Sequence, residues 1–240
     1  MSIKIGHNLT TNYSINFNLP KRTKYLIKFI IIHYTGMRKE SRALQRLLDI
    51  KSKVSSHYFI KSNGKVLNLV PDLYEAWHAG KSSWQNFKFL NKYSIGIELH
   101  NPGHEFGYKN FHNKQIKSLI KLLKKLKKKY SIKSKFILGH SDIAPDRKKD
   151  PGEKFPWKKL GKENLCQWYN LTETKNKQFS DISINNRDKI RFFKNLKKIG
   201  YNCKNKVFLI KAFQRKYRQS LINGKFDREC LLISKSLIKQ

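Results

Sequence analysis

Cysteine is scarce: Cys166, Cys203 and Cys230 are the only 3 in 240 residues. An odd count at wide spacing, with no Cys-x-x-Cys pair, excludes a disulfide framework and a thiolate zinc cluster. Three free, half-buried thiols are expected instead. Acid is scarce too. Only 16 Asp+Glu stand against 52 Lys+Arg, a formal net charge of +36. That balance invites a polyanion partner. The bases are mostly lysine, however, which lacks arginine's bidentate fork. They are spread along the chain, and with abundant Ile and Asn they fit an AT-rich coding background. No specific nucleic-acid partner is expected, only a general attraction to acidic polymers. No apolar run approaches the length of a membrane span, so none is expected. Met1 to Phe17 carries no continuous apolar core of a secretory leader. The chain stays inside, leaves by another route, or has lost its leader.

What is present is enough for a core. Hydrophobic residues make up 39% and aromatics 12%, which excludes global disorder. Tyr25 to Ile32 is a β-branched run suited to a strand buried on both faces, with His33 at its end. Ser41 to Leu48 has helical spacing. Ser55–Ile60 and Lys65–Val70 flank Asn63-Gly64, a hairpin signal. Ser94-Ile95-Gly96-Ile97-Glu98-Leu99 alternates with period two, placing Ile95, Ile97 and Leu99 on one face and Gly96 and Glu98 on the other. Ile116, Leu119, Ile120, Leu123 and Leu126 fall at helical spacing, and Phe136–Leu138 is a strand delivering His140. Strands alternating with helices predict an α/β fold with a mixed central β-sheet flanked by helices.

Residues 1–168, including an arm from Met1 to about Lys28, form the first expected domain. Residues 169–186 are polar and unpatterned, an expected linker. Residues 187–240 form a small C-terminal all-α domain. One helical pattern there runs through Ile190, Phe193, Leu196 and Ile199. Another runs through Phe208, Ile210, Phe213 and Tyr217. A turn at Asn223-Gly224 precedes a short closing helix.

The scarce acids concentrate in one place. Gly139 to Gly152 reads GHSDIAPDRKKDPG, a histidine and several carboxylates on a loop stiffened by Pro145 and Pro151. His33 and His140 both follow buried strands, and Asp150 follows His140 closely. Two imidazoles and a carboxylate are what a catalytic zinc uses while keeping one position open. On residue type alone, a strand-end histidine is more often structural than a ligand.

Six short motifs occur in order: Phe29-Ile-Ile-Ile-His33-Tyr34-Thr35, Val54-Ser-Ser-His57-Tyr58, Ala76-Trp77-His78-Ala79-Gly80, Ser94 to Leu99, Gly139-His140-Ser-Asp-Ile-Ala-Pro145 and Lys148-Lys-Asp150-Pro-Gly152. Together they resemble the zinc-dependent N-acetylmuramoyl-L-alanine amidases of the AmpD/AmiD type. That family is similar to phage lysozyme-type amidases and to animal peptidoglycan recognition proteins. The likeness covers about Tyr25 to Trp157.

The resemblance implies one zinc ion per chain on His33, His140 and Asp150, with Glu98 as catalytic acid/base and Lys148 as the lysine that stabilises the transition state. Nothing in that set is missing, whereas recognition proteins that bind without cutting lack a ligand. The plain alternative for Glu98 is an acid on the solvated face of an edge strand. For Lys148 it is one more surface lysine among many. The resemblance also places the Trp77-His78 loop along a substrate groove, with Trp77, His78 and Tyr34 as candidate substrate contacts. His57 reads as structural, Trp84, Trp157 and Trp168 as packing, and Asp142 and Asp146 as turn and supporting residues. The C-terminal segment around Leu196–Tyr201, Ala212–Tyr217 and Asn223–Asp227 is similar, more faintly, to a three-helix peptidoglycan-binding module.

The expected partner is peptidoglycan or a muropeptide, and the expected state a monomer or weak oligomer. A cell-envelope or secreted location fits the extra helical domain, and a cytoplasmic one fits the missing leader. The competing readings are a non-catalytic peptidoglycan-recognition protein and a nucleic-acid binder.

Overall fold

The computed structural model describes residues 13–172 and 178–239. The first part of the expected arm and the middle of the expected linker lie outside the described residues. A five-stranded sheet forms the centre, from β2 (Phe29–Tyr34), β3 (Tyr58–Ile60), β4 (Val66–Asn68), β8 (Ser94–Leu99) and β9 (Ile137–Gly139). Their order is β4-β3-β8-β2-β9. The β3–β4 hairpin is antiparallel and the other pairings are parallel, so the sheet is mixed. Four short strands lie outside it: β1 (Phe17–Asn18) pairs with β5 (Glu75–Ala76), and β6 (Ser83–Trp84) with β7 (Phe87–Lys88).

The helices are α1 (Glu40–Leu48), α2 (Asn113–Tyr130), α3 (His140–Ile143), α4 (Trp157–Lys162), α5 (Asn186–Ile199), α6 (Lys206–Tyr217) and α7 (Arg228–Ile238). Among the described residues no helix is long and apolar enough to cross a membrane. The first central strand begins later than its hydrophobic run. Lys24–Leu26 is a 3-10 turn, and His33 sits inside β2 rather than beyond it.

A parallel sheet must be covered on both faces. Side chains alternate along each strand, so Ile30, Ile32, Ile95, Ile97, Leu99 and Ile137 point one way. They bury the apolar stripe of α2, Ile116, Leu119, Leu123 and Leu126, together with Trp157 and Leu160 of α4. Each such side chain contributes about 1.5–3 kcal/mol when fully buried. Gln115 fastens the start of α2: its amide donates to the carbonyls of His100 and Ile60 while its oxygen accepts from the His112 N–H.

Phe29, Ile31 and Leu138 point the other way, and α5, α6 and α7 cover them. Phe192, Leu196, Phe213, Tyr217, Leu231 and Ile233 join them in one apolar cluster. The C-terminal helices therefore share a core with the sheet. The sheet selects their inner faces: Phe192, Leu196 and Ile199 of α5 turn inward, while Ile190 of the expected stripe is 57% exposed. Phe208 of α6 is likewise exposed, with Leu209, Ile210 and Phe213 buried. The three tryptophans expected to pack do so: Trp84 and Trp157 are fully buried and Trp168 packs partly buried. All three cysteines are free thiols.

Candidate active site

Ligand sites in open α/β sheets lie outside the carboxyl ends of the strands. That edge here opens into a cleft of about 450 Å³. On the sheet face covered by the C-terminal helices, His33 of β2 lies beside Glu98 of β8 in the parallel register. His140 opens α3 directly after β9. Asp150 returns to the same place because the Ser141 N–H donates to its carbonyl at 2.8 Å. Gly139 permits that return, since a Cβ there would lie 2.7 Å from Pro151 Cδ.

His33 Nδ1 lies 3.0 Å from His140 Nδ1 and 3.0 Å from Asp150 Oδ2, and His140 Nδ1 lies 3.1 Å from the same carboxylate oxygen. All three residues are buried. The outer nitrogens are engaged elsewhere: His33 Nε2 with His78 Nδ1 at 3.0 Å, and His140 Nε2 with the Ala79 carbonyl at 3.1 Å. Because a carbonyl only accepts, His140 Nε2 donates to Ala79 and its Nδ1 presents a lone pair beside the Asp150 carboxylate. The donor set is two imidazoles and a carboxylate, one atom each, which suits a metal that keeps a position open. Four tetrahedral ligands at about 2.0–2.1 Å stand ~3.3 Å apart, close to the spacing found. The residues fit the group.

The electrostatics agree. Burial lowers His33 to about 4, helped by the charge of His140, so its ring is neutral at ordinary pH. Burial alone would raise the Asp150 carboxyl. The charges and hydrogen bonds of His140 and His33 override it and hold the group well below the usual carboxylate range. A neutral ring and an ionised acid are the forms that bind metal.

Glu98 faces the same space. It lies on a central strand, not an edge, and its Oε2 is buried with no hydrogen-bond partner among the described residues. Burial raises it to about 8; the Asp150 charge adds to this and Lys148 opposes it. Lys148 lines the cleft beside Asp150 and has no ion pair among the described residues.

Tyr34, Trp77 and His78 also line the cleft. The Tyr34 hydroxyl is 2.8 Å from His104 Nδ1, and His104 Nε2 is 3.1 Å from Glu153. Trp77 donates its indole N–H to Asn18 at 2.9 Å. His78 has both ring nitrogens occupied, one by His33 and the other by Ser94 Oγ at 3.2 Å. His57 is buried and accepts the Gly96 N–H, the structural part expected of it.

Behind the site lies a polar hub. Asp142, two residues along α3 from His140, accepts from the Gly139 N–H at 2.8 Å, from Lys216 Nζ at 3.0 Å and from the Tyr201 hydroxyl at 2.7 Å. Lys216 is itself buried and lies 4.5 Å above the Trp157 ring. Gln219 donates to the carbonyls of Glu153 and Phe155 at 2.5 and 2.7 Å, fixing the loop after Asp150. Asp146, in contrast, lies in an exposed turn.

The model of the family described as N-acetylmuramoyl-L-alanine amidase matches residues 22–153. AmiD of Escherichia coli is 33% identical, across 99% of this chain and 90% of that protein. The chain belongs to the N-acetylmuramoyl-L-alanine amidases. AmpD of Escherichia coli is 38% identical over a shorter stretch, 44% of this amidase and 55% of AmpD. Among solved structures, E. coli AmiD in complex with the substrate anhydro-N-acetylmuramic acid-L-Ala-D-gamma-Glu-L-Lys superposes with TM-score 0.79 at 31% identity, covering 92% of each chain. AmpDH3 of Pseudomonas aeruginosa, solved with anhydromuramic pentapeptide, gives 0.77 at 26% identity over 100% of the amidase and 98% of that chain.

Three residues at the amidase's site escaped the sequence reading. Arg147 lines the cleft and donates to the carbonyls of Ala79 and Lys81. Its cue was weak, since it is one base in a run of three. His104 partners Tyr34 from a loop with no pattern to place it. Ser94, the first residue of a motif, was read only for its alternation.

Proposed function

We propose that the amidase hydrolyses the amide between N-acetylmuramic acid, or its 1,6-anhydro form, and L-alanine, using zinc held by His33, His140 and Asp150. The observation that carries this reading is the convergence in one cleft of that trio, a Glu98 Oε2 with no hydrogen-bond partner and a Lys148 ammonium with no ion pair among the described residues. When bound, zinc supplies Lewis acidity that polarises a carbonyl and lowers the pKa of water toward 7. Glu98 takes the proton of the attacking water and returns it to the departing alanine nitrogen. A carboxyl raised by burial is a stronger base than an exposed one and can still pass its proton to the departing amine. Lys148 places positive charge beside the oxygen that becomes negative. Tyr34 and Trp77, on the rim, are positioned to contact the sugar or stem peptide.

A binding-only role would leave the buried Glu98 Oε2 without a partner among the described residues for no return. The likeness to two structures holding anhydromuramyl peptides supports a muropeptide substrate. The test is digestion of intact sacculi and of anhydro-muropeptides, with and without a chelator, read by mass. Chelator-sensitive release of the stem peptide is expected. Cleavage of sacculi would place the enzyme at the envelope, and cleavage of fragments alone would place it in recycling. No release from either substrate in zinc-loaded protein overturns the proposal.

A further inference from the structure

The loop Trp77–Gly80 meets both histidines of the trio with two consecutive residues. His78 takes the outer nitrogen of His33, and the Ala79 carbonyl takes that of His140. We propose that His78 and Ser94 are positioning residues which fix the tautomer of His33 and so aim its Nδ1 lone pair at the metal. The inference rests on the zinc reading above.

The direction of each hydrogen bond follows from the far end of the chain of contacts. A carbonyl only accepts, and Ser94 Oγ lies 2.6 Å from the Leu90 carbonyl, so the single hydroxyl proton of Ser94 is used there. Ser94 can then only accept from His78 Nε2, 3.2 Å away. His78 consequently carries its proton on Nε2 and presents a bare Nδ1. That bare nitrogen, 3.0 Å from His33 Nε2, accepts the His33 proton. His33 Nδ1 is left without one. Ligand imidazoles are commonly oriented in this way by an outer partner; here the partner is a second imidazole, itself set by a serine.

Two further features fit this role. Gly96 lies beneath the His78 ring, and a Cβ there would come within 2.4 Å of His78 Cγ. Asn91 Oδ1 accepts the backbone N–H groups of His78 and Ala79 at 3.1 and 2.7 Å. The loop is therefore held by its backbone, whatever the side chain at 78.

The test uses the full chain and zinc itself. Zinc affinity is measured by competition with a chromophoric chelator for the parent, His78→Leu, His78→Asn and Ser94→Ala. His78→Leu removes the acceptor and should weaken zinc by roughly 10–100-fold. His78→Asn restores an acceptor near Nδ1 and should recover most of that loss. Ser94→Ala, the mildest truncation, should cost about tenfold. Nitrogen-15 spectra of the metal-free parent at neutral pH should show His33 protonated at Nε2 and bare at Nδ1. A His33 protonated at Nδ1, or a folded His78→Leu that binds zinc as tightly as the parent, overturns the inference. If the parent binds no zinc, the functional reading fails while the spectra still decide the tautomer.

Discussion

The two sides of the His33–His140–Asp150 trio are built differently. His33 belongs to an inner strand of the sheet, and its support, His78 and Ser94, comes from the chain before residue 95. His140 and Asp150 lie on a short helix and a loop, which have little rigidity of their own. Their bracing comes from the C-terminal helices, through Lys216 and Tyr201 on Asp142 and through Gln219 on the loop after Asp150. One residue of the trio is thus held by the sheet and two by a distant part of the chain. The difference teaches that the C-terminal helices are part of the catalytic framework, whatever else they contact.

Shortening the chain to end at Leu171 breaks this comparison most severely. Phe29, Ile31 and Leu138 would face water, and loss of the cooperative unfolding transition with strong binding of a hydrophobic dye is expected. Native-like near-ultraviolet dichroism in the shortened chain would show that the sheet stands without the helices.

Lys216→Met leaves the Asp142 carboxylate buried and unpaired and should destabilise the fold by about 3–5 kcal/mol in denaturant titrations. Adding Asp142→Asn should return part of that loss. Lys148→Ala separates support from chemistry: zinc content should stay at the parent level while kcat falls by about 10²–10³. Gln219→Ala removes two hydrogen bonds from the Asp150 side, costing about 1 kcal/mol each, whereas a similar change at exposed Ile190 should leave stability unmoved. The smallest effect concerns thiols. Burial raises Cys166 and Cys230 to about 12 each and Cys203 less. A thiol reagent at pH 8 should label half-exposed Cys203 first, and equal labelling of Cys230 would mean that the helices open readily.

Much of the His33 side was legible in the sequence. The apolar run before His33, the Asn63-Gly64 turn and the alternation of Ser94–Leu99 all report local geometry, and β2, β3, β4 and β8 follow them. The run Phe29–Ile32 also announced a strand buried on both faces, yet strand patterning says nothing of what covers it. The supports of the other side were hidden for physical reasons. Lys216 is one lysine in a lysine-rich chain, and only its burial marks it. The inner face of α5 is chosen by the sheet, so the stripe with the best spacing was partly the wrong one. Trp77, His78 and Tyr34 were expected at a substrate groove; the structure brings all three to the cleft, with His78 spending its polar atoms on neighbouring side chains.

The Lys216–Asp142 pairing joins positions 74 residues apart. As the amidase leaves the ribosome, His140 and Asp150 emerge long before the partners that steady them. Newly made chains should therefore pass through a stage in which one face of the sheet is still uncovered and the trio still loose. Completion of the trio becomes one of the last events of biogenesis, and a stalled or clipped nascent chain would be an inactive protein rather than an unregulated amidase.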